Sequence, residues 1–434
     1  MKVLMFGWEF PPYISGGLGT VCKAMTEHLA RLGVKVCFVM PRVIGDKPQV
    51  PNFELLGANE LTFRQTIQSV YKKLSQETIQ FLEVDAFLNP YFNEETYQEK
   101  MGSYLKERID LVREMEKQGV HRMDFHGGYG RDLLSEVSRY ALVGSLLGMQ
   151  HDFDLIHAHD WICYPAGVEA KRASGKPLIC HVHATEFDRT GGNPNQEIYN
   201  IERYGLENAD RIFTVSQRTK DTVSFHYGID PEKIHVVYNA VSKEKLVERH
   251  QIKKHLKEKI VLFLGRVTIQ KGPDYFVEAA HEVLKKVKDV RFVLAGSGDM
   301  LTRLIERVAH YRMQKNFHFT GFLRGREVEE MFALSDLYVM PSVSEPFGVT
   351  PFEAMLYHVP VIISKQSGIA EILKSAVKID FWDVQKLADA IVELLTDSKL
   401  VDQLVAQGAQ ELDHVSWDTA AQKIKWHYRE VIKS

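Results

Sequence analysis

Apolar residues fall into short, β-branched runs closed by Gly, Pro or Asp: Val3 to Phe6, Val34 to Met40, Leu155 to Ala158, Leu178 to Val182, Ile212 to Val215 and Val236 to Tyr238. Strands buried on both faces read this way, and helical patterns separate most of these runs. The alternation predicts parallel sheets joined by crossover helices. The same grammar restarts at Lys259 to Arg266, "KIVLFLGR", which mirrors the opening "KVLMFG", and continues through "VRFVLAGSGDM", "FHFTGFL", "SDLYVMPS" and "VPVIIS".

Two doubly wound α/β domains follow, with a boundary in the polar stretch Ser242 to Glu258. The expected division is 1–245, carrying a less regular, aromatic-rich elaboration over 44–131, then 246–415. A final helix over 416–434 is expected to pack back toward the first domain. It opens on Ser416-Trp417-Asp418 and places Ala420, Ile424, Trp426, Tyr428 and Val431 at helical spacing.

Composition narrows the class. The chain has 434 residues, too many for one ordinary core; 45% are apolar and 26% charged, with a formal net charge of −3. There is no basic field for nucleic acid, and no stretch of apolar residues long enough to span a bilayer. Cys22, Cys37, Cys163 and Cys180 lack metal-ribbon spacing and read as reduced, buried thiols. The uninterrupted apolar run before Gly7, Val3 to Phe6, is four residues long, short of a signal-peptide core, so a cytoplasmic protein is expected.

In open α/β sheets, ligands sit at the carboxyl ends of strands, and that rule ranks the motifs. "YISGGLGTV" follows the first strand; Gly16, Gly17 and Gly19 permit either a bare turn or backbone approach to an anion. Pro41-Arg42 ends the second strand where a nicotinamide fold would offer an acid, which argues against that cofactor. "GRVTIQKG" carries Arg266 and Lys271 out of the first strand of the second domain, two cations suited to a diphosphate or simply solvated. "AGSGDM" adds a close-approach turn at Gly298.

His157 and His159, then His181 and His183, end two strands; spacing of two puts each pair on one face, as a metal site or as satisfied core histidines. Asp152 and Asp154 precede a strand and so lie at the wrong edge of the sheet for a metal-diphosphate. "SEPFGVTPFEAM" leaves another strand with Glu345 before a turn at Gly348, a helix starting near Val349 or Thr350, and Glu353 inside that helix. Both acids are placed to face a ligand resting on the helix start, one at a sugar and one at a ribose; the plainer reading is a dipole-favoured acid and a solvated partner.

Taken in order, "SGGLG", "HAHDW", "GRVTIQKG", "AGSGD" and "SEPFGVTPFEAM" resemble the retaining glycosyltransferases of the GT-B fold, two Rossmann-like domains facing a cleft, and among them bacterial and archaeal glycogen or starch synthase-like enzymes. The resemblance implies that Arg266 and Lys271 bind the donor diphosphate. It implies Glu345 at the transferred sugar, Glu353 at the ribose, Gly16 and Gly17 along the phosphates, and His159 at the sugar ring. Gly298, Gly348, Val349 and Thr350 complete the donor set, and His183 and Glu186 are candidate acceptor or sugar contacts. The implied donor is UDP-glucose or ADP-glucose and the acceptor a glycan, most closely an α-1,4-glucan, with no cofactor or metal and no stable membrane association. Two departures stand out. Ile14 occupies the position two residues before the paired glycines where such synthases carry Lys, and Phe347 stands where they often have a smaller residue. The competing readings are a histidine-metal hydrolase, which leaves Arg266 and Lys271 unexplained, and a non-catalytic glycan-binding protein, which leaves the two acids and two cations without a role.

Overall fold

The computed structural model describes residues 1–12, 17–43, 47–48, 50–61, 125–127, 133–241 and 257–433. Ile14, Gly16 and most of the segments 44–131 and 242–258 lie outside these residues. The described strands build two parallel sheets with helices around them. The first comprises β1 (Lys2–Phe6), β2 (Lys35–Met40), β3 (Phe53–Gly57), β4 (Leu155–His159), β5 (Leu178–Val182), β6 (Arg211–Thr214) and β7 (Ile234–Val236), in the order β3-β2-β1-β4-β5-β6-β7. The second comprises β8 (Lys259–Leu264), β9 (Val290–Ala295), β10 (Phe317–Gly321), β11 (Leu337–Met340), β12 (Val361–Ser364) and β13 (Val377–Ile379), in the order β10-β9-β8-β11-β12-β13.

Most strands fall within a residue of the apolar runs. β7 begins two residues earlier than the run Val236 to Tyr238, because its register pairs Ile212 with Ile234 and Thr214 with Val236. β3 lies inside the segment expected to be irregular. It pairs in parallel with β2, but only Leu55 and Gly57 are buried, so as an edge strand it leaves little apolar signal.

The chain divides into two compact units: Met1–Cys180 with Tyr204–Asp210 and Val431–Ser434, and His181–Arg203 with Arg211–Glu430. In the first unit every residue of β1 except Lys2 is buried, as a strand covered on both faces must be. The helix Leu133–Gln150 lays Tyr140 edge-on to Phe6 and Trp8, and its buried hydroxyl donates to the carbonyl of Val39 at 2.6 Å. Asp152 and Asp154 have a structural role: the Lys2 amine and backbone N–H reach them at 2.7 Å each, securing the start of β1. Strand order reverses between β1 and β4.

In the second unit it reverses between β8 and β11, and the glycine loop after β8 and the acidic loop after β11 leave the sheet on either side of that point. Phe263, Phe276, Phe292, Val339 and Ile362 are among the buried residues of its core, and the final helix runs from Trp417 to Lys433. Cys22, Cys163 and Cys180 are buried and Cys37 half-buried, all unbridged; burial pushes Cys22 and Cys163 well up and Cys37 to about 12, which keeps these thiols protonated. No described helix is long and apolar enough to cross a membrane.

Candidate functional site

The loop leaving β8 is shaped by backbone contact with the loop leaving β9. Val267 N–H donates to the carbonyl of Ser297 at 2.9 Å, and Met300 N–H returns a bond to Val267 at 3.1 Å. A Cβ on Gly298 would lie 2.3 Å from the Val267 carbonyl oxygen, so this glycine is required by loop-on-loop packing whatever else it does. The exposed Arg266 is steadied by the side chain of Gln270, 2.9 Å away.

Gln270 is buried, and its carbonyl accepts from Val343 N–H at 2.9 Å and Ser344 N–H at 3.4 Å. The loop that carries both cations is therefore stitched along its main chain to the loop that carries Glu345. The Lys271 ammonium forms an ion pair with the Glu345 carboxylate, which also accepts from Ser342 Oγ at 3.3 Å. Glu345 is 6% exposed, so the pair and the hydroxyl meet the cost of holding a carboxylate out of water.

After Glu345 the chain turns at Gly348, whose φ of +93° favours glycine. Thr350 opens a short helix, Thr350–Leu356, and its hydroxyl meets that of buried Tyr338 at 2.8 Å. Val349 precedes that helix at its N-cap. Phe347 is 2% exposed and packs on Tyr238 and Phe352, so its size serves the core. Glu353, half-buried on the same helix, has its carboxyl pushed up to about 7 by burial.

The segment after β5 joins this assembly. His183 follows the strand, its ring centroid 4.2 Å from that of His181, and Thr185 caps the helix Glu186–Thr190. Asp188 accepts from Thr185 N–H at 2.9 Å and Thr185 Oγ1 at 2.7 Å, while its other oxygen accepts from Ser344 Oγ at 2.6 Å. Glu186 is buried, its carboxyl raised chiefly by burial, with Arg189 opposing. Glu202 accepts from Glu186 N–H at 3.1 Å, from Arg189 at 3.0 Å and from the Tyr227 hydroxyl; burial still pushes it up to about 7.

The second unit thus holds Arg266, Lys271, Gly298, Glu345, Gly348, Val349, Thr350, Glu353, His183 and Glu186. Lys271 and Glu345 are in contact. Gly17 and His159 belong to the first unit: Gly17 opens the helix Gly17–Arg31 and is exposed, while His159 ends β4 fully buried, 4.3 Å from the His157 ring and stacked near Phe38. Gln270, Ser342, Ser344, Asp188 and Glu202 carry no pointer along the chain beyond the proximity of Asp188 to Glu186.

Residues 244–411 match the family described as Glycosyl transferases group 1, and residues 109–245 that described as Glycosyltransferase Family 4. An uncharacterized glycosyltransferase of Methanocaldococcus jannaschii is 28% identical over 443 residues, covering 98% of this chain and 96% of its own. The glycogen synthase of Mycobacterium tuberculosis is 22% identical, covering 97% and 92%. Among solved structures, sucrose-phosphate synthase from Thermosynechococcus elongatus superposes with a TM-score of 0.73 at 16% identity, covering 100% of this chain and 99% of that one. The catalytic domain of starch synthase IV from Arabidopsis thaliana, bound to ADP and acarbose, gives 0.66 at 14% identity, covering 100% and 99%.

Proposed function

This chain is a glycosyltransferase built on the GT-B fold, and from that premise we propose that it moves a glucosyl unit from UDP-glucose or ADP-glucose to an α-1,4-glucan with retention of configuration. One observation carries the reading. The loop bearing Arg266 and Lys271 and the loop bearing Glu345 flank the strand reversal of the second unit and are bonded to each other through Gln270.

The chemical task is to break the bond from C1 to a nucleoside diphosphate while negative charge grows on the departing phosphate. Arg266 and Lys271 are preorganised cations for that charge, and their attraction is worth most at the transition state, where the charge is largest. Lys271 already neutralises Glu345, so the arriving diphosphate draws on the same ammonium and leaves the carboxylate to orient the sugar hydroxyls. Glu353 takes the ribose. The acceptor hydroxyl attacks from the face the phosphate leaves and passes its proton to that phosphate, which keeps the α configuration. The glucan acceptor is proposed by analogy with a glycogen synthase that is 22% identical over nearly the whole chain.

The test offers UDP-glucose and ADP-glucose separately with glycogen, maltooligosaccharides and small hydroxyl acceptors, following nucleotide release and the anomeric NMR signal. Elongated α-glucan is the expected product. A β-linked product overturns retention, and an α-linked small glycoside without elongation overturns the glucan acceptor alone.

A further inference from the structure

Apart from these loops, the second unit contains a cavity of ≈ 450 Å³ between the helix Gln217–Tyr227, the edge strand β7 and the C-terminal helix. Lys220 and Gln217 line it from the first, His235 from the second, and Lys423, Trp426 and His427 from the third. Among the described residues, none that lines it is acidic. We propose that this cavity is a binding site for a phosphate monoester whose alcohol carries a ring, a sugar phosphate or a nucleoside monophosphate.

Cations are gathered here at an electrostatic cost. Lys220 Nζ is anchored on the carbonyl of Ile234 at 2.8 Å, Lys423 is exposed on the last helix, and the Arg211 guanidinium lies 2.8 Å from Nδ1 of His427. The imidazoles of His235 and His427 are 4.4 Å apart. Burial first, then Arg211, Lys220 and Lys423, hold His235 down to about 4; burial, His235, Arg211 and Lys423 hold His427 down to about 3. Both rings are thus neutral at pH 7, and nearby acids serve other groups. Asp221 accepts from the Gln217 amide at 2.7 Å, Glu371 from Gln217 N–H at 2.9 Å, and Glu430 offsets Arg211.

A dianion between Lys220 and Lys423 relieves the like-charge crowding and gains two charge-assisted contacts. Trp426 supplies the second half of the recognition. It follows Lys423 by one turn on the same helical face, and its indole is 57% exposed, edge-on to His427. An open aromatic face beside a cation pair suits a ring ester better than inorganic phosphate. The space falls in the range of small-molecule sites, roughly 300–1,000 Å³.

The experiment is tryptophan fluorescence and calorimetric titration of the full chain carrying Lys271→Ala, so that the proposed donor contact is weakened. The probes are phenyl phosphate, glucose 6-phosphate, adenosine 5′-monophosphate, inorganic phosphate and glucose. At least one ester is expected to bind saturably, more tightly than inorganic phosphate, with glucose silent. Adding Lys423→Glu should weaken it at least about tenfold, as loss of a charge contact does, and Trp426→Ala should remove the quench and weaken the calorimetric signal. Both side chains are exposed, and circular dichroism checks that the fold persists. Whichever ester binds best assigns the alcohol and leaves the proposal standing. Absence of saturable binding up to ~10 mM, an affinity below the weakest useful range, overturns it, as does equal affinity with and without Lys423→Glu. Neither result bears on glucosyl transfer.

Discussion

Replacing Lys271 by Ala tests the pairing at the centre of the proposed donor site, and it should produce two separable losses. The Glu345 carboxylate is 8% exposed at its side chain and, among the described residues, would keep Ser342 Oγ at 3.3 Å as its side-chain donor, too little to offset its desolvation. Breaking a fully buried pair from one side costs roughly 3–5 kcal/mol. The Lys271 side chain is 23% exposed, and water reaching the vacated place lowers the expected cost to about 1–3 kcal/mol. Glu345→Gln leaves a lysine that water can still reach and should cost less than about 1 kcal/mol. The double variant should resemble Glu345→Gln alone, which gives a coupling of about 1–3 kcal/mol in the cycle, the whole cost of Lys271→Ala. Urea unfolding at constant m-value measures the four proteins, and initial rates of nucleotide release measure turnover. Turnover should fall on the order of 10²-fold in Lys271→Ala, the size of one lost transition-state charge contact. Additive stabilities in the cycle would refute the pairing, and near-normal turnover would remove Lys271 from the chemistry.

Glu345→Ala should reduce mainly kcat and Glu353→Ala mainly raise the donor KM, since one acid is assigned to the reacting sugar and the other to the ribose; identical kinetic defects would count against separate roles. The carboxyl of Glu353 stands at about 7 in the folded chain against an ordinary value of 4.5, so between these values the folded state holds a proton the unfolded state has lost. Its contribution is full below pH 4.5 and is lost as pH rises through about 7; Glu353→Gln should therefore gain stability relative to the parent between pH 5 and 8, by roughly 2–3 kcal/mol. A pH-independent difference would contradict the burial. Transfer should persist in EDTA, because Arg266 and Lys271 meet the diphosphate charge; loss of activity restored by zinc would favour the histidine-metal alternative.

The repeating grammar of strand, glycine turn and helix was legible because central parallel strands are apolar on both faces, as β1 and β8 are. β3 was not legible, since an edge strand with two buried residues carries almost no periodic signal. At the candidate site, Arg266, Lys271, Glu345 and Glu353 stood out through the combination of two charged motifs that each follow a strand, although either motif alone also reads as solvated surface. The contact between Lys271 and Glu345 spans 74 residues of chain and depends on strand order, which spacing along the sequence does not encode. Gln270, Asp188 and Ser344 act through main-chain carbonyls and short hydrogen bonds, and as isolated polar residues they look like any surface position. Phe347, odd as a ligand neighbour, is ordinary as a core residue.

The carbonyl of Pro346 accepts from Ser216 Oγ at 2.6 Å and Thr219 Oγ1 at 3.3 Å, while Glu345 and Phe347 on either side bond through their main chains to Gln366, Gly368 and Ile369. The bend that presents Glu345 is thus held at its own main-chain groups, by two side-chain hydroxyls and by backbone partners, so its outline depends little on the side chains that Val343, Val349 and Thr350 display. Sequence drift at the partly exposed Val343, Val349 or Thr350 can then alter what the bend meets while the bend itself stays put. For anyone seeking a changed donor preference by directed evolution, those three positions form a small library with a fixed frame, whereas changes at Ser216 or Gly368 would deform the frame before they altered the choice.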